Sequence, residues 1–146
     1  MQSADFVTDT STLCIFDLES LRHRLDDDSD WWTVPDEELL EVNNGNIAFI
    51  GLGEDGKYCL EVCESLVETD ISINLNCPSG RLFIGAGEEV TGEGLEPEAL
   101  RGGMFLDLSP GIYRLAIYRK SPRLVAICFE QTSDGGENKF TTPVQI

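Results

Sequence analysis

The chain's single histidine, His23, stands between Arg22 and Arg24. A nucleophile–histidine site would need it beside an activated serine or cysteine. No motif places one there, so His23 reads as a solvated group on a short polar helix. Five cysteines, Cys14, Cys59, Cys63, Cys77 and Cys128, leave one unpaired whatever their connectivity. Cys59 and Cys63 fall on one face of one expected strand, about 13 Å apart at ~3.3 Å per residue, too far to bridge. With one histidine available they do not complete a zinc set either. Buried, reduced thiols are expected, and with them a cytoplasmic setting.

Asp26, Asp28 and Asp30 alternate as the oxygen ligands of a calcium loop would. An EF-hand loop counted from Asp26 carries Glu37 at its twelfth place, but its sixth, where glycine is required, is Trp31. The glycines at 51, 53 and 56, and at 85, 87, 92 and 94, sit among carboxylates. That is the opposite of a phosphate cradle. Neither a metal nor an organic cofactor is implied, and no pattern names a reaction.

Asp30-Trp31-Trp32 points elsewhere. In an extended segment adjacent side chains face opposite ways, so one indole can enter the core while the other stays outside. An accessible tryptophan ringed by carboxylates has the form of an interface anchor and rim. The alternative is that both rings cover the end of the fold.

Charge narrows the classes of partner. The net charge is −17 and the pI about 4.1. Residues 1–100 hold 23 acidic and 4 basic side chains, and residues 101–146 hold 4 and 6. Such a surface repels nucleic-acid phosphates and anionic lipid and suits a basic protein. No basic-then-apolar leader is expected from the opening residues, and no apolar run approaches the ~20 residues that span a bilayer.

The elements that would position these groups are mostly strands. Around Ser109-Pro110-Gly111, Met104, Leu106 and Leu108 alternate before the turn, and Tyr113, Leu115 and Ile117 after it. Pro110-Gly111 fits a type II turn with positive φ at Gly111, and hence a hairpin that a run over 124–131 extends to a meander. Residues 47–66 and 71–86 read as two more hairpins, turned at Gly53–Gly56 and Pro78–Gly80. The first eleven residues fray or add an edge strand, and Thr12–Phe16 and Thr141–Ile146 are further strand candidates. Asp17 caps a short helix over 18–25. Thr33 caps a second, with Pro35 in its first turn and Leu39, Leu40 and Val42 as anchors. Residues 87–103 form the longest connection, with Pro97–Leu100 as one helical turn. The expectation is one mainly β domain over 1–146, an antiparallel β-sandwich or partly open barrel with one or two short helices near its N-terminus.

The acidic β-rich composition, the segment Leu25–Pro35 (LDDDSDWWTVP) and the stretch Leu106–Tyr118 (LDLSPGIYRLAIY) together resemble small acidic bacterial β-sandwich proteins. These include toxin-immunity proteins and the competence-protein-J type of nuclease inhibitor. The resemblance implies a cytoplasmic, non-enzymatic inhibitor of a basic toxin or nuclease. Its expected contacts are Asp26, Asp27, Asp28, Asp30, Trp31 or Trp32, and Glu88, Glu89 and Glu93 of the long connection. The alternative is a recognition domain for a small ligand or carbohydrate, with Trp31, Trp32 and Tyr113 as stacking surfaces.

Overall fold

The computed structural model describes residues 2–24, 26–28, 31–90 and 97–146. Nine strands form two open sheets: β1 (Gln2–Thr8), β2 (Thr12–Asp17), β3 (Ile47–Gly51), β4 (Gly56–Cys63), β5 (Ile71–Cys77), β6 (Arg81–Ala86), β7 (Met104–Asp107), β8 (Gly111–Ser121) and β9 (Leu124–Thr132). One sheet has the order β1-β4-β9-β8-β5 and the other β3-β2-β6-β7. The architecture is therefore the expected β-sandwich, two sheets of which neither closes into a barrel, and it departs from antiparallel pairing where β4 lies parallel to β9.

The strands were legible, but their partners were not. β3 and β4 lie in different sheets, as do β5 and β6, and β7 and β8. The three expected hairpins are thus crossings from one sheet to the other, and only β8–β9 is the local antiparallel pair the sequence implied. Alternation reports that one face of a strand is buried. A hairpin and a crossing bury that face equally well.

The turn chemistry follows the crossings. Gly111 begins β8 and does not hold positive φ, whereas Gly80 does, at +81°. A β-carbon on Gly80 would meet the Leu108 carbonyl oxygen at 2.1 Å. Leu108 N–H donates to the Gly80 carbonyl at 2.7 Å, which lays the β5–β6 and β7–β8 crossings side by side. Asp17, at the end of β2, ties them down. Its buried carboxylate accepts from Ser79 N–H (2.8 Å), Gly80 N–H (3.1 Å) and the Ser79 hydroxyl (2.8 Å). It also accepts from Glu19 N–H at 3.0 Å, which opens the helical segment as a cap would.

That segment, Leu18–Arg24, is a 3₁₀ helix rather than an α-helix, and two further 3₁₀ turns occupy Trp31–Thr33 and Gly87–Glu89. The one α-helix among the described residues, α1 (Pro35–Asn43), starts one residue later than Thr33 would cap it. Val34 is the N-cap and Pro35 takes the first position, where its missing N–H costs nothing. Gly45, at φ +75°, lets the chain leave α1 and enter β3. Of the expected anchors only Val42 is buried, while Leu40 faces outward and Glu41 points inward. Pro97–Leu100 is not helical, and Thr141–Ile146 contributes only an isolated bridge from Gln145 to Gly51.

Strands β2, β3 and β6 are buried on both faces, which explains their continuous apolar runs. Register places Cys14, Phe16, Phe49 and Phe83 together on one face of their sheet. The 3₁₀ turn at Trp31–Thr33 covers Phe49 on that face, and α1 packs against both the turn and β3.

Candidate functional site

The acidic run and α1 meet at Arg24. Its Nε donates to Glu41 Oε2 at 2.7 Å, Nη2 to Glu37 at 2.5 Å and Nη1 to Asp27 at 3.1 Å, while its guanidinium carbon lies 4.6 Å from the Trp31 ring centre. Glu41 is the inner member: its side chain is 2% exposed, and it also accepts from Asn46 Nδ2 (2.8 Å) and His23 Nε2 (2.6 Å). Burial alone would raise the Glu41 carboxyl, but the bonds from Arg24, Asn46 and His23 outweigh it and hold the group below its ordinary value. Burial likewise opposes charge on Arg24, and its three carboxylate partners reverse that, so the guanidinium stays firmly protonated. His23 is therefore not a free surface histidine, although half of its side chain meets solvent. Sequence reasoning missed Glu41 because its neighbours in space, Arg24 and Asn46, come from separate elements.

Further carboxylates flank this centre along the chain. Asp26, Asp27 and Asp28 are exposed, and Asp36, Glu37 and Glu38 form the acidic first turn of α1. Opposite charge is favourable at a helix N-terminus, which helps this turn carry three acids. Desolvation pushes the Glu38 carboxyl up to about 7. Val34 (50% exposed) and Leu40 (51%) stand on the same element among these acids.

The tryptophans do not face outward. Trp31 is 6% and Trp32 7% exposed: Trp32 stacks on Phe49 with ring centres 5.1 Å apart, and Trp31 meets the same ring edge-on at 6.0 Å. Opposite pointing of neighbours holds for extended backbone, whereas these two sit in a 3₁₀ turn, which turns both toward the sheet. Tyr113 is buried as well, its hydroxyl donating to the Ser109 carbonyl at 2.7 Å. None of the three rings offers the stacking surface that a carbohydrate-binding reading requires.

Glu88 and Glu89 also turn inward. Glu88 accepts from the Thr8 hydroxyl (2.7 Å), the Thr10 hydroxyl and Asp9 N–H (2.7 Å), fastening the β1–β2 turn. Burial would raise its carboxyl, but these bonds prevail and lower it. Glu89 is buried and accepts from Leu100 N–H at 3.1 Å, and desolvation leaves its carboxyl raised. Asp30 and Glu93 lie outside the described residues. The structure thus links Asp27 to the start of α1 through Arg24 and uses Glu88 and Glu89 as fastenings of the fold.

No helix among the described residues is long and apolar enough to cross a membrane. A family model described as "Family of unknown function (DUF6386)" matches residues 1–146. No curated protein sequence matches. Among solved structures, one titled "Crocagin biosynthetic gene J" is similar at a TM-score of 0.53 and 14% identity, covering 89% of this chain and 98% of its own. A second is ComJ from Bacillus subtilis, titled an inhibitor of the DNA-degrading activity of NucA. It is similar at a TM-score of 0.44 and 11% identity, covering 90% of this chain and 96% of its own. The first likeness shows a shared fold, and the second adds nothing to it.

Proposed function

The chain belongs to the DUF6386 family of unknown function, and from that premise we propose that it is a binding protein that neutralises a basic partner enzyme, a toxin or nuclease, through the acidic face at the start of α1. The observation that carries this reading is that Arg24 pairs with both Asp27, in the exposed run Asp26–Asp28, and Glu37, in the acidic first turn of α1, while Val34 and Leu40 of the same element are exposed. Charges of one sign draw in a basic partner and speed encounter, and small apolar spots within a polar rim supply the contacts that slow escape. The buried Glu41–Arg24 pair holds the two acidic segments in fixed relation, which limits the ordering cost of binding. Val34 and Leu40 take the anchoring place first assigned to a tryptophan.

The test uses the tagged chain as bait in host extract at low and at high salt, beside a variant carrying Asp26→Asn, Asp27→Asn and Asp28→Asn. The reading requires a basic enzyme that is captured at low salt, is lost by the variant, and loses activity when the purified wild-type chain is added. A captured protein that the variant retains, or whose activity is unaffected, would overturn it.

A further inference from the structure

Three of the five cysteines are not buried: Cys59 is exposed, and Cys63 and Cys128 are partly so. β4 and β9 run parallel, the one parallel pairing between strands among the described residues, and their register places Cys63 directly beside Cys128. Neighbouring strands lie about 4.8 Å apart, inside the roughly 4.4–6.8 Å window of Cα separations that a disulfide spans. In-register neighbours in a parallel pair also share a face. Here the face is the outer one, since Leu60, Val125 and Ile127 point the other way into the core. The sulfur of Cys128 confirms the proximity, lying 3.2 Å from the carbonyl oxygen of Glu64, the residue after Cys63. The pair is reduced in this structure.

We propose that Cys63 and Cys128 form a reversible dithiol–disulfide site, oxidised by exchange with a small-molecule disulfide and closing a clasp across the β4–β9 seam. In the first step the Cys63 thiolate attacks one sulfur of the external disulfide, forming a mixed disulfide and expelling one thiolate. Cys128 then loses its proton and attacks the Cys63 sulfur, expelling the second thiolate. Two protein sulfurs are oxidised, the external disulfide is reduced to two thiols, and the two protein protons end on them. The order follows from the surroundings: burial, Cys63 and Glu130 all hold the Cys128 thiol up, so it suits the resolving role. Parallel strands hold β-carbons farther apart than a relaxed disulfide prefers, so the bond draws the strands together and stays open to reduction. Cys59 has no such neighbour. Its in-register partners are Asp5 and Leu124, and Cys63 is four residues further along its own strand.

That contrast supplies an internal control. The full chain is incubated with glutathione disulfide, its remaining thiols are alkylated, and the digest is mapped by mass spectrometry. A Cys63–Cys128 linked peptide with the loss of two hydrogens is expected, with glutathione attached to Cys59 alone. Phenylarsine oxide, which bridges two adjacent thiols, should bind the reduced chain one to one, survive Cys59→Ser and be lost in both Cys63→Ser and Cys128→Ser. Separate glutathione adducts on Cys63 and Cys128, a bond from either to Cys59 or to a second molecule, or arsenical binding unaffected by both serine variants would overturn the assignment. The arsenical measured on the wild-type chain decides the matter if the variants do not fold.

Discussion

Oε2 of Glu41 lies 2.7 Å from Nε of Arg24, and both side chains are largely withdrawn from water, at 2% and 13% exposure. An ion pair in that position adds little net stability, because desolvating two charges offsets most of their attraction. Removing one partner is another matter. Arg24→Met leaves Glu41 charged and buried with only His23 and Asn46, so a denaturant melt is expected to show a loss of about 3 kcal/mol. A loss below about 1 kcal/mol would mean that the junction is open to solvent.

The pH dependence of stability has two opposed parts. Glu41 has a folded pKa below its unfolded value, so its contribution is present above the unfolded pKa and is lost as pH falls through the folded one. Glu38 is raised to about 7, so between its unfolded value and about 7 the folded state holds the extra proton and stability falls as pH rises. Glu38→Gln is therefore expected to stabilise the chain at about pH 8 and to change little at about pH 4. Melting curves at the two values check this, and an equal effect at both would contradict it.

If a basic partner settles on this face, its charge favours ionised Glu38. Association should then release protons at about pH 6.5 and fewer at about pH 8.5. Calorimetry in buffers of different ionisation enthalpy reads that difference directly. Neutralising Asp26, Asp27 and Asp28 to asparagine should slow association several-fold and weaken its salt dependence, with a stability loss of no more than about 1 kcal/mol from the half-exposed Asp27–Arg24 pair.

The tryptophans should behave as core residues. Trp32→Ala is expected to destabilise by about 3–5 kcal/mol, since the ring stacks on Phe49. Val34→Ser and Leu40→Ser should leave the melt within about 0.5 kcal/mol of wild type and speed dissociation of a bound partner. Surface plasmon resonance beside chemical denaturation separates the two behaviours.

Two glycines offer a paired comparison. Gly80→Ala combines positive φ with a clash against backbone and should cost well over 1 kcal/mol. Gly111→Ala meets only the end of the flexible Gln131 side chain and should cost about 0.5 kcal/mol or less. Equal losses would mean that the turn before β8 is strained after all.

The strands could be read because burial on one or both faces writes itself into local order: Ile47–Leu52 is unbroken and Ile71–Cys77 alternates. Pairing could not be read, since Pro110-Gly111 serves a crossing as readily as a hairpin. The same limit governed the site. Asp26–Asp28 were legible as surface from charge alone, whereas the fate of Trp31 and Trp32 depended on a backbone conformation that their side chains do not encode. Glu41 looks like any other helical glutamate until Arg24 and Asn46 are brought to it.

The place of β9 carries a consequence for how the chain is made. This last strand lies between β4 and β8, in the middle of the five-stranded sheet. Until Leu124–Thr132 has left the ribosome, β1–β4 and β8–β5 are two separate ribbons, each with an unpaired edge facing the gap. Such edges are templates for adding a strand from another molecule. A nascent chain stalled before residue 124 should therefore be held by chaperones or associate with its copies, and sheet closure should come as one late event once β9 arrives.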